Sequence, residues 1–158
     1  MKKKCKGLLF LLISVFVLQT IPVGATEIEW YDLKEENILL EDIQDNNEGI
    51  SPNTLYIAGA TITLQKMGTG KFGMRSEVFC SETMKKIETT FKLQKKSGSS
   101  WKTVGTGTVS QNDSNKMYKS MTASGVSSGT YRCVASSKVT SYSGYSETVS
   151  ITSGSVKM

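Results

Sequence analysis

The 158-residue chain contains no histidine. That removes the commonest general base and metal ligand at neutral pH, so neither a Ser-His-Asp nor a Cys-His arrangement can be assembled. Past residue 50 the carboxylates are Glu77, Glu82, Glu88, Asp113 and Glu147. Two of them, converging, could act as the acid and base or nucleophile of a glycoside hydrolase. Against this, the alternation of the chain assigns Glu77 and Glu88 to solvent-facing strand positions, where isolated charges serve solubility. Gly68-Thr69-Gly70 lacks the spacing and following helix of a phosphate loop. Asn112-Asp113-Ser114 matches a glycosylation acceptor, a tripeptide frequent by chance. No catalytic group, metal site or cofactor is implied, and the chain reads as non-enzymatic.

The chemistry left is that of binding. Lysines and arginines are dense past residue 50, with Lys85, Lys86, Lys92, Lys95 and Lys96 closest together and Lys102, Lys116, Lys119, Arg132 and Lys138 further on. They form either a dispersed solvated surface or a face for anionic envelope polymers or lipid headgroups. Nucleic acid fits an exported chain less well. Tyr118, Tyr142 and Tyr145 offer a carbohydrate or protein contact, or else lids on the core. Met67, Met74, Met84, Met117 and Met121 read as gap fillers in a core, or as an adaptable binding face.

The first residues establish where such binding takes place. Met1-Lys2-Lys3-Lys4-Cys5-Lys6 is a basic segment, Gly7 to Leu18 is apolar, and Val23-Gly24-Ala25 supplies small residues. This is the pattern of a secretory signal peptide over residues 1–25, cleaved after Ala25. The apolar run is shorter than the ~20 residues of a spanning helix, so no integral membrane anchor is expected, and Cys5 lies on the wrong side of it for lipidation. Without residues 1–25 two cysteines remain, Cys80 and Cys133, an even number in a compartment where disulfides persist. Lysine plus arginine falls from 19 to 15 against 14 acids, a net charge of +1.

That charge is divided unevenly. From Thr26 to Ile50 stand nine acids and one base, Lys34; from Ser51 onward stand 14 bases and five acids. Residues 26–50 therefore read as an acidic arm, mostly disordered, with one short amphipathic helix over Glu35 to Ile43. It is either a solvated tether or an arm that docks on the basic domain and masks it.

Residues 51–158 must position whatever binds. Serine, threonine and glycine clusters punctuate seven half-buried strand patterns: 56–66, 72–80, 86–95, 101–110, 116–122, 130–138 and 145–152. Gln111 to Asn115 reads as a loop. In the second, Phe72, Met74, Val78 and Cys80 share a face; in the sixth, Tyr131, Cys133 and Ala135 do. Seven strands bury a core only as two stacked sheets. The pattern predicts an all-β, immunoglobulin-like antiparallel sandwich stapled by a Cys80–Cys133 disulfide. Tyr131, two residues before the second cysteine, takes the tyrosine-corner position, its hydroxyl bonding back near Gly125 to Gly129. Trp101 is the candidate core indole, although it stands later than the immunoglobulin pattern places it.

The later half also resembles a narrower group. Lys92-Leu93-Gln94-Lys95-Lys96 through Ser100-Trp101-Lys102-Thr103-Val104, then Gly129-Thr130-Tyr131-Arg132-Cys133-Val134-Ala135, then Tyr145-Ser146-Glu147-Thr148-Val149, is similar to a family of short uncharacterised proteins secreted by Gram-positive bacteria. The resemblance covers residues 87–158. It implies origin and fold, and no activity. The expectation is a secreted module that binds a protein or an anionic envelope polymer through its loops and a basic face. Two alternatives stand beside it: an antagonistic factor whose acidic arm masks the domain until removed, and the acidic-pair hydrolase.

Overall fold

The computed structural model describes residues 28–33, 47–50 and 54–158; of 47–50, the backbone alone. The expected signal peptide with its cleavage after Ala25, and the helix expected over 35–43, lie outside the described residues. The protein is all-β and antiparallel. Its strands are β1 (Glu29–Leu33), β2 (Asn47–Ile50), β3 (Ile57–Gly68), β4 (Lys71–Ser97), β5 (Ser100–Ser124), β6 (Thr130–Thr140), β7 (Ser146–Thr152) and β8 (Val156–Lys157). No helix among the described residues is long and apolar enough to cross a membrane.

Strands β4 and β5 organise the molecule. The segments expected as separate strands at 72–80 and 86–95 are one strand of 27 residues, and those at 101–110 and 116–122 are one of 25. Gln111 to Asn115, expected as a loop, stays within β5; Asn112 pairs with Lys86, and Asp113, alone among the described non-glycine residues, takes a positive φ, of 52°. Tight turns join the long strands. Gly70 and Gly98 carry them at φ of 70° and 61°, the left-handed region that costs glycine nothing.

Both long strands bend at one level. Between the pairs Phe79–Lys116 and Met84–Ser114, β4 advances five residues while β5 advances two. Extra residues on one strand bend it and sharpen its twist. Before the bend β4 lies between β3 and β5; after it β4 lies between β5 and β6, and β6 pairs with β7 and β8. The bend brings the two halves of β4 face to face. Ser76 Oγ lies 3.3 Å from Thr89 Oγ1, and the Phe72 ring centroid lies 5.2 Å from that of Tyr131.

The core fills the space between. Ile57, Ile62, Leu64, Phe72, Met74 and Val78 from one half meet Met84, Ile87, Phe91, Leu93, Cys133 and Val139 from the other, all buried. Met74, Met84, Met117 and Met121 are core residues; Met67 is exposed.

The expected Cys80–Cys133 disulfide is absent. Cys80 and Cys133 are both free thiols, both buried. Cys80 sits at the bend, close enough to Glu147 of β7 to feel its charge, and Glu147 pairs with Val139 of β6. Cys133 lies six residues further along β6, about 20 Å at strand rise, against a Cα separation of at most ~7 Å for a disulfide. Both cysteines face the interior, yet at opposite ends of it. Burial raises the Cys133 thiol from 9.0 to about 12, slightly offset by a hydrogen bond with the Lys92 backbone. Burial, and then the Glu147 charge, raise Cys80 to about 11.

Trp101 is likewise not a core indole. It is half-buried at the β4–β5 hairpin end, opposite Lys96. The indole that packs on the core is Trp30. It reaches β5 because β1 pairs with Ser120 to Ser124, and it lies over Gly105 and Gly107. A Cβ on Gly107 would come within 2.6 Å of Trp30 and 2.8 Å of Met121, so the indole needs the bare backbone beneath it. Two segments of the acidic arm thus belong to the sheet: β1 on the edge of β5 and β2 on the edge of β3.

Candidate functional site: an outward face of hydroxyls and cations

Past the bend, the even-numbered residues of β4 point away from the core, since Ile87, Thr89, Phe91 and Leu93 are buried. Strand pairing sets each beside outward residues of β5, β6 and β7. The result is a broad face in rows. Strands stand about 4.8 Å apart, and successive outward rows about 7 Å.

The central row carries only hydroxyls: Thr108, Thr90, Ser136 and Ser150, in register across four strands. Thr90 Oγ1 lies 3.2 Å from Thr108 Oγ1, and Ser150 Oγ donates to Ser136 Oγ at 3.3 Å. Charge flanks it on both sides. The row toward the hairpin end sets Lys92 between Thr106 and Val134; the row toward the bend sets Glu88 between Ser110 and Lys138. Lys92 and Lys138 are exposed. Glu88 is ion-paired with Lys86, the one ion pair among the described residues. Lys92, Lys138 and Arg132 make no ion pair among the described residues, although Glu88 stands opposite Lys138.

Arg132 is the most constrained of the three. Its Nε donates to Gln94 Oε1 at 2.8 Å, and Gln94 Nε2 in turn donates to Thr103 Oγ1 at 3.4 Å. Its guanidinium carbon lies 4.5 Å from the centroid of Trp101. A guanidinium over an indole and held at Nε has less rotational freedom than one free in solvent. Among the described residues no acceptor takes its terminal N–H groups.

The structure sorts the residues singled out from sequence. Lys86 and Lys92 lie on this face, and Lys96 stands at its hairpin end beside Trp101. Lys85 is exposed at the bend, out of phase with Lys86. Lys95 is out of phase too: its ammonium lies 5.6 Å over the Tyr131 ring and donates to Ser127 Oγ at 2.9 Å. Tyr131 is buried, and its hydroxyl donates to the Ser127 carbonyl at 2.8 Å. Tyr142 and Tyr145 flank the β6–β7 turn. Tyr142 donates to Asp113 Oδ1 at 2.6 Å, which with that carboxylate's charge raises the phenol pKa, and Tyr145 packs on Tyr56 with centroids 5.5 Å apart. Tyr118 packs edge-on against Phe79 at 5.5 Å on the other half of the sheet.

Arg132, Lys138, Gln94 and the hydroxyl row were not singled out together. Their signal was the alternation of Arg132, Val134, Ser136 and Lys138 between buried residues. It becomes a face only once the register with β4 is known.

The carboxylates are dispersed. Glu77 and Glu88 face outward from opposite halves of the sheet, Asp113 is engaged by Tyr142, and Glu147 accepts the backbone N–H groups of Leu55, Tyr56 and Ile57 at 2.8, 2.9 and 3.2 Å. Burial raises the Glu147 pKa, but these bonds outweigh it and leave it below the ordinary carboxylate value. Among the described residues no group of three or more Asp, Glu or Cys side chains could hold a metal ion. In comparison with known proteins, no family model and no curated protein matches the chain.

Proposed function

We propose that the protein is a secreted, non-enzymatic interaction module that holds an anionic polymer of a cell envelope, or an acidic protein, on the outward face of β5, β4, β6 and β7. The observation that carries this reading is the hydroxyl row Thr108, Thr90, Ser136 and Ser150, bordered by Lys92 and Lys138, with Arg132 held one row beyond. Hydroxyls both donate and accept, and cations projecting from a sheet face attract a polyanion.

The scaffold proposed for this face is a two-layer, immunoglobulin-like sandwich. The contacts of Ser76 with Thr89 and Phe72 with Tyr131 support two layers, and the Tyr131–Ser127 bond supports a tyrosine corner. Two continuous strands shared by both layers, and the missing staple, depart from the immunoglobulin pattern.

Masking by the acidic arm has less support. The described part of that arm before residue 47 pairs with β5 at Ser120 to Ser124, and its Trp30 meets Gly105 and Gly107 on their core-facing side, opposite to the outward face. Charge reversal tests the main reading. Lys92→Glu with Lys138→Glu should abolish retention on an anionic-polymer resin, and Lys66→Glu with Lys71→Glu, on the other half of the sheet, should reduce it little. Equal loss from both pairs would mean that net charge alone acts.

A further inference from the structure

We infer that the ligand of this face is a linear polyol phosphate, a flexible chain in which phosphodiesters alternate with hydroxylated, ring-free carbons; this rests on the reading of the face as an anion-binding surface and narrows its chemistry. Three features of the face point the same way.

The first is the alternation of charge. Lys92 and Arg132 stand in adjacent rows on adjacent strands, about 8 Å apart at their Cα atoms from sheet spacings. The uncharged hydroxyl row follows, and Lys138 stands beyond it. A bound chain running along β6 meets Arg132, with Lys92 of β4 beside it, then the hydroxyl row, then Lys138; Glu88, opposite Lys138 on β4, is ion-paired with Lys86. A polyol phosphate presents the complementary series, since each phosphodiester is followed by hydroxyl groups that can donate to and accept from Thr90, Thr108, Ser136 and Ser150.

The second is the lack of a stacking platform. None of the outward residues in the rows from Glu88 to Gln94 is aromatic. The nearest ring, Trp101, has a face covered by Arg132 at 4.5 Å. Sequence-tolerant binding of single-stranded nucleic acid rests on exposed aromatic rings beneath the bases, and pyranose rings use the same kind of surface. A chain without rings needs none.

The third is Arg132 itself. Its Nε is taken by Gln94 and its guanidinium carbon lies over Trp101, so two contacts hold the group whose terminal N–H pair would meet the ligand. That N–H fork matches two oxygens of one phosphate, a geometry that a lysine ammonium cannot reproduce.

The test is titration calorimetry of the purified protein with synthetic poly(glycerol phosphate), poly-L-glutamate, polygalacturonate, oligothymidylate and phosphatidylglycerol vesicles, at matched anion concentration. Poly(glycerol phosphate) should bind at least about tenfold more tightly than the others. Arg132→Lys, which keeps the charge and loses the fork, should weaken it by about tenfold. Thr90→Val with Ser136→Ala should weaken poly(glycerol phosphate) more than poly-L-glutamate. Circular dichroism of each variant checks its fold, and Arg132→Gln serves as the second variant should Arg132→Lys fail to fold. Equal binding of poly-L-glutamate or polygalacturonate, or an inert Arg132→Lys substitution, overturns the polyol phosphate assignment while leaving the anion-binding face standing. Tightest binding of oligothymidylate or of vesicles overturns it in favour of nucleic acid or a lipid surface. If no polyanion binds and Lys92→Glu with Lys138→Glu changes nothing, the anion-binding reading falls with it.

Discussion

Ser76 and Thr89 lie on one strand, thirteen residues apart, with their hydroxyl oxygens 3.3 Å from each other. Only a strand folded back on itself permits this. Thr89 Oγ1 also lies 2.6 Å from Ser137 Oγ, and all three side chains are buried. The trio ties both halves of β4 to β6 in the middle of an apolar core. Thr89→Val keeps the volume and leaves two buried hydroxyls short of a partner. We expect a loss of about 1–3 kcal/mol, read by chemical denaturation. Adding Ser76→Ala and Ser137→Ala should recover part of it; a neutral Thr89→Val would show that the trio adds nothing.

The same bend separates the thiols. Cys80 and Cys133 should be silent to a thiol reagent in the native protein and reactive in denaturant, and a reductant should leave the melting temperature unchanged. Both thiols titrate above their ordinary value of 9.0, near 11 and 12. The folded state therefore holds protons that the unfolded state releases. Stability should be fully present below about pH 9 and fall as pH rises toward 12, by up to about 4 kcal/mol for Cys133 at ~1.4 kcal/mol per unit. Cys133→Ala should flatten that decline. A melting temperature that drops on reduction would contradict the free-thiol state.

Glu147 supplies the acid counterpart. Its carboxylate gathers three backbone N–H groups at the start of β3, and its pKa is lowered in the fold. The stability it contributes is present above the ordinary carboxylate pKa and lost as pH falls through the lower, folded value. Glu147→Gln should lower the melting temperature at pH 7 by about 3–6 °C and narrow the difference between pH 7 and pH 3. An unchanged difference would mean that the bonds do not depend on ionisation.

Trp30 should report on β1. In a Trp101→Phe background, Gly107→Val should shift the remaining emission to the red, because a side chain at Gly107 meets the indole at 2.6 Å. Trp30→Ala should cost about 2 kcal/mol, less than a fully buried indole. Unshifted emission in the Gly107→Val variant would place Trp30 elsewhere.

Much of the fold was legible along the chain because alternation reports local burial. Phe72 to Cys80, Ile87 to Leu93 and Tyr131 to Ala135 each place their buried residues on one face. Alternation says nothing of strand ends. Ser81 to Thr83 and Gln111 to Asn115 carry turn-forming polar residues, yet both stretches remain in strands because a bulge bends the chain there without interrupting it. The disulfide was misread for a related reason. Alternation shows that Cys80 and Cys133 both point inward, whereas the level each occupies along the bent sheet depends on register between distant strands. The same register hid the site: Arg132 and Lys92 are forty residues apart in sequence and neighbours on the face. Trp30 was hidden by its setting, since the nine acids of residues 26–50 favour a solvated arm.

The most direct measurement of the central claim is a titration of ¹⁵N-labelled protein with poly(glycerol phosphate), followed amide by amide. Shifts should concentrate at Thr90, Lys92, Gln94, Arg132, Ser136 and Lys138 and diminish as salt is added. Shifts centred on Phe79 and Tyr118, or spread evenly over every exposed lysine, would contradict it.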